Sequence, residues 1–167
     1  MLSSPIVTDD AHKKNSPETG DAAARRRRVA WNEIDFFRWP GLRLIEAGNG
    51  VARVELDVED HHRGGGGSPR HVNGGIVSYM FDGLLGAAVE STWDEGVIGQ
   101  VTITLNVQFV DAIEAENRIE GVARVLRRGG GLVFGEGQVF DERGKLGATC
   151  TGVYKLFRNR HDTPAPG

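Results

Sequence analysis

From position 76 to 89 the chain is apolar at nearly every residue, and Asp82 is the only charge it carries. Ile76, Met80, Leu84 and Ala88 recur at helical spacing, and so do Val77, Phe81 and Leu85. The two stripes predict a helix over about 75–92 that is apolar on nearly all sides and must be wrapped by other elements. Elsewhere the period changes to two. Segments 42–47 and 51–58 flank Gly48-Asn49-Gly50, a hairpin signal, with Ala52, Val54, Leu56 and Val58 dry and Val51, Arg53, Glu55 and Asp57 wet. After the helix, Val101, Ile103, Leu105, Val107 and Phe109 are expected on one face of a strand, and Ile119, Gly121, Ala123 and Val125 on one face of the next. Gly129-Gly130-Gly131 turns into 132–141, and Glu142-Arg143-Gly144 into a last strand over about 145–157. The pattern predicts an α+β domain: a hairpin, one long central helix, then a four-strand meander. A curved antiparallel sheet of five or six strands would enclose the helix. Open edges on such a sheet favour pairing with a second copy.

The flanks change character. Residues 1–28 are rich in Ser, Pro, Asp, Lys and Ala and end in Arg25-Arg26-Arg27-Arg28; they are expected to be a disordered tail with a solvated Arg run. Trp31, Ile34 and Phe37 then fall at helical spacing, closed by Pro40-Gly41. The expected domain covers 29–158, with a second flexible tail over 159–167. A length of 167 residues, 39% hydrophobic and 26% charged, fits one globular domain.

Net charge −3 and a pI near 6.0 give no general attraction to nucleic acid or anionic membranes. The 76–89 run is too short to cross a bilayer. The first 28 residues contain four acids and no apolar core of leader type, so a cytoplasmic protein is expected. Cys150 is the only cysteine. It permits no intrachain disulfide and no paired-cysteine zinc site, and is expected to be a buried, inert thiol.

An ionised carboxylate is seldom buried without a partner, because desolvation costs several kcal/mol. Asp82 is therefore either a structural acid satisfied by hydroxyls such as Ser78 or Tyr79, or a working group. The helix pattern by itself leaves both open.

The element order and Asn73-Gly74-Gly75, followed by six residues and Asp82-Gly83, resemble the hotdog-fold acyl-CoA thioesterases of the phenylacetate (PaaI-like) group. That group has His-Gly-Gly, six residues and Asp; here Asn73 takes the place of the His. The strand Val101-Thr102-Ile103-Thr104-Leu105-Asn106-Val107-Gln108-Phe109 and the turn at Arg127-Arg128-Gly129 add to the resemblance, which spans about 40–157. It implies a hotdog fold and hydrolysis of a fatty or aryl acyl-CoA, with coenzyme A as part of the substrate and no metal or redox cofactor. It also implies a homodimer or dimer of dimers in which the glycine amide comes from one subunit and the acid from its mate.

The chemistry fits these residue types. A carboxylate serves as general base or nucleophile. The amides of Gly74 and Gly75, at a helix N-terminus, suit an oxyanion. Asn73 would cap the helix or shape the pocket. Asp82 lies roughly 11 Å along the axis from Gly75, too far for both to reach one carbonyl within one subunit. Arg127 and Arg128 are candidates for the phosphates of coenzyme A.

The competing readings are a non-catalytic acyl-CoA-binding module and a hotdog hydratase using the Asp57-x4-His62 spacing. His61, His62 and His71 are expected to be solvated loop residues, since no acid or cysteine spacing supports a metal site. Gly64–Gly67 lacks the Lys-Ser/Thr of a phosphate-binding loop.

Overall fold

The computed structural model describes residues 28–65 and 67–159. The expectations for 1–27, including Arg25 to Arg27, and for 160–167 lie outside the described residues. A helical stretch over 28–33 leads into the short helix α1 (Asp35–Arg38). Then come β1 (Leu42–Gly48), β2 (Val51–Asp57), the central helix α2 (Gly74–Glu90), β3 (Val97–Phe109), β4 (Arg118–Gly129), β5 (Leu132–Phe140) and β6 (Leu146–Arg158). The six strands form one antiparallel sheet in the order β1-β2-β4-β5-β6-β3.

The hairpin forms where alternation predicts it. Asn49 (φ 51°) and Gly50 (φ 79°) both take left-handed backbone, the two-residue turn whose twist matches that of paired strands. Ala52, Val54 and Leu56 are fully buried beneath α2. The helix buries Val77, Met80, Phe81, Leu84, Leu85 and Val89 without residual exposure, so the sheet wraps it as its all-round apolarity requires. Small residues let it sit close: a β-carbon on Gly121 would stand 2.9 Å from Leu84 and Met80.

Two expectations are corrected. The last four strands are not a meander, because β3 lies beyond β6 at the far edge and β4 pairs with β2. Nor do Val101 to Phe109 keep one apolar face. Ile103 is an extra residue between the pairs Thr102–Tyr154 and Thr104–Val153, a bulge that inverts the parity of the strand. Leu105 and Val107 pack on the core, whereas Val101 (48% exposed) and Ile103 (54%) face out. Gln100 and Thr102 turn inward instead.

The two edges of the sheet differ. At β1 the Asn32 side chain accepts the Leu44 N–H at 2.7 Å and donates to the Leu44 carbonyl at 3.1 Å, filling a strand-pairing position. At β3, among the described residues, no segment pairs the side away from β6. No described helix is long and apolar enough to cross a membrane.

Candidate functional site

Asp82 is half-buried on the face of α2 that looks toward β3. The hydroxyls expected to satisfy it are engaged elsewhere: Ser78 donates to the Gly74 carbonyl and Tyr79 to that of Phe36, each at 2.9 Å. Its partner is Thr102, whose Oγ1 donates to Asp82 Oδ1 at 2.8 Å. Tyr154, buried beneath, donates to the Asp82 backbone carbonyl at 3.2 Å. Burial first, and then the Asp82 charge, push the Tyr154 and Tyr79 hydroxyls above the ordinary tyrosine range, so both stay protonated donors.

The carboxylate opens into a cavity of about 350 Å³ walled by Trp31, Ile34, Phe36, Val101, Thr102 and Tyr154. This is near the small end of ligand pockets, which run roughly 300–1,000 Å³ and are mostly apolar with a few placed polar groups.

The glycine end of the helix is a separate place. Asn73 caps it, its side chain accepting the Gly75 N–H at 2.8 Å. Among the described residues the Gly74 N–H meets no acceptor. The amide available to an oxyanion is thus that of Gly74, while Gly75 is occupied by the cap. The Phe109 ring lies against Gly74, where a β-carbon would stand 3.0 Å from Cζ. Gly74, His71, Val77 and Phe109 line a cavity of about 320 Å³ distinct from the one at Asp82. One helix therefore carries two candidate half-sites roughly 12 Å apart, each opening beside β3.

The histidines differ from expectation. His62 is buried, not solvated: its Nδ1 accepts the Glu59 N–H at 2.9 Å, closing a short 3-10 turn over Asp60–His62. Desolvation, then the neighbouring His61, hold its proton affinity below the ordinary histidine range. His71 is half-buried, and its Nδ1 is buried without a hydrogen-bond partner among the described residues. Of these three, His61 alone is exposed. Asp57 accepts from Arg118 at 3.0 Å and Arg43 at 3.2 Å. With His62 capping a turn and Asp57 ion-paired, the hydratase pairing is not assembled.

Arg128 is also committed. It binds the Thr92 carbonyl and Asp94, which in turn holds Arg158. Arg127, at the same end of β4, is exposed. Burial pushes the Cys150 thiol up to about 12, so it is inert. Among the described residues no cluster of three or more His, Cys, Asp or Glu side chains is placed to hold a metal.

Thr102 is the site residue that sequence patterning missed, since the alternation placed it on the wet face. The bulge that brings it in leaves no mark in the order of polar and apolar residues.

A six-strand antiparallel sheet curled around one long helix, with an acid at mid-helix and glycines at its start, defines a hotdog fold. Residues 70–148 match the family model described as the Thioesterase superfamily, a segment that contains both half-sites. A curated relative from Saccharolobus solfataricus, named "Putative esterase", is 29% identical over 129 residues, covering 75% of this chain and 85% of its own. A thioesterase family protein from Silicibacter pomeroyi superposes with TM-score 0.71 at 20% identity, over 81% of this chain and 98% of its own. The E. coli PaaI protein of the phenylacetic acid degradation operon superposes with TM-score 0.70 at 16% identity, over 85% and 96%. At these identities the two structures establish the fold. The resemblance read from Asn73-Gly74-Gly75 and Asp82 is borne out by the family match across that motif.

Proposed function

We propose that this protein hydrolyses an acyl-CoA thioester to the free acid and coenzyme A, as a homodimer or dimer of dimers in the cytoplasm. The observation that carries the reading is Asp82. It is a half-buried carboxylate that accepts from the Thr102 hydroxyl and faces an apolar cavity rather than being sealed into the core. A purely structural acid would be closed in by donors.

In the proposed reaction a second copy approaches along β3, so that its Gly74 N–H and this copy's Asp82 meet one thioester carbonyl. The amide supports the oxyanion that develops as the carbonyl carbon becomes tetrahedral; one such donor is typically worth roughly 3–4 kcal/mol. Asp82 either takes the proton of the attacking water and returns it to the departing sulfur, or attacks the carbonyl itself to form a mixed anhydride that water then cleaves; either way the products are the free acid and the coenzyme A thiol. Thr102 fixes the rotamer of the carboxylate throughout. Asn73 holds the first turn of the helix rigid, so the Gly74 amide is aimed before substrate arrives. Arg127 remains the exposed cation that coenzyme A phosphates would meet, with Arg128 held by Asp94.

The test is thiol release from a panel of acyl-CoA thioesters by the wild type and by Asp82→Asn. Release by the wild type that Asp82→Asn loses supports the reading. Tight binding without release would establish a non-catalytic acyl-CoA-binding module instead.

A further inference from the structure

The floor of the Asp82 cavity includes two helix positions without side chains, Gly83 and Gly86. That space is not left open for a passing chain. Phe37 fills the space over Gly83, where a β-carbon would be 2.7 Å from its ring. The Trp31 indole lies across Gly86, where a β-carbon would be 3.2 Å from Cη2. The ring is held at two points: Nε1 donates to the Glu90 carboxylate, and the indole packs edge-on against Phe37 with centroids 5.1 Å apart. It is a fixed wall, not a loose side chain.

Asp82 and Gly86 are four residues apart, on one face of the helix and roughly 6 Å apart along its axis. We infer that Trp31 is a specificity-determining residue, a stopper that limits the acyl site to short acyl groups. The inference rests on the thioesterase reading above and adds the substrate class. An acyl chain leaving a carbonyl held beside Asp82, and following the bare helix, meets the indole after about one turn. Ile34 and Phe36 line the same cavity, so the first methylenes lie against apolar side chains and further ones run into the indole. A pocket of this kind discriminates by roughly 10–200-fold per misfitting methylene.

The experiment measures kcat/KM for straight-chain acyl-CoA thioesters from acetyl to palmitoyl with the wild type, Trp31→Phe and Trp31→Ala. Wild type should lose at least about tenfold between butanoyl and decanoyl thioesters. Trp31→Ala should raise the decanoyl-to-butanoyl ratio by about tenfold or more, and Trp31→Phe by less. A ratio unchanged in Trp31→Ala, or a wild type that prefers palmitoyl, overturns the inference. If thermal melting shows Trp31→Ala unfolded, Trp31→Leu carries the same expectation with an apolar side chain kept over Gly86.

Calorimetric binding of the same thioesters to Asp82→Asn, with and without Trp31→Ala, reads the stopper without turnover. A length cut-off that Trp31→Ala lifts, in a protein whose wild type releases no thiol, sinks hydrolysis and leaves the stopper standing. Binding that ignores length, or no binding at any length, overturns the stopper.

Discussion

The two edges of the sheet have opposite characters. At β1, Asn32 occupies the pairing groups of Leu44, and Arg43, Glu55, Asp57 and Arg118 form a charged network beside it. Such an edge repels a further strand. At β3 the strand is long, its pairing groups are open and Val101, Ile103 and Phe109 are about half exposed. Thr102 and both cavities lie on this side as well. The contrast teaches that one edge is closed, while the other is left open where the candidate site lies.

The largest expected effect tests whether chemistry belongs to the β3 side. Asp82→Asn should lower kcat by about two to four decades in a thiol-release assay while leaving the fold intact by circular dichroism. Placing a charge on the open edge with Ile103→Lys should convert the proposed dimer to monomers in sedimentation, and turnover should fall at least about tenfold if each subunit then holds only half of the proposed site. A dimer that survives Ile103→Lys would place the partner elsewhere. Thr102→Val removes the donor but keeps the shape. It should reduce kcat about tenfold, the scale of leaving one buried acceptor unmatched, roughly 1–3 kcal/mol.

The closed edge should answer differently. Asn32→Ala should cost about 1–3 kcal/mol in urea unfolding, with kcat/KM unchanged per folded molecule. Loss of turnover there would erase the distinction between the edges.

The smallest effect concerns His62, in the connection that runs from the closed edge to the helix. Its folded-state proton affinity is lowered, so below its ordinary value of 6.5 the unfolded chain binds a proton that the folded chain resists. Stability should be full above pH 6.5 and decline as pH falls below it. In His62→Phe, urea melts between pH 5 and 7 should show a shallower slope.

How much of this was legible in advance depended on how local each signal was. Asn49-Gly50 with alternating neighbours marked the hairpin, and the unbroken apolar run marked the helix. The motif at Asn73 and Asp82 marked both candidate half-sites, because helical spacing is a local property. The position of β3 beside β6 was not legible, since strand order is decided by contacts far apart in the chain. Thr102 was hidden by a one-residue bulge. Arg128 looked available because nothing in its neighbourhood announces Asp94, 34 positions away. His62 looked wet among polar neighbours, yet its ring turns inward to cap its own turn.

The bulge at Ile103 also makes this enzyme-like pocket sensitive to chain length rather than residue identity. Removing that single codon would regularise the ladder and force a choice upon the strand: either Thr102 swings away from the acid, or the apolar half beyond it rolls out of the interior. An insertion or deletion of one amino acid is therefore a shorter route to altered reactivity here than any substitution on the same strand.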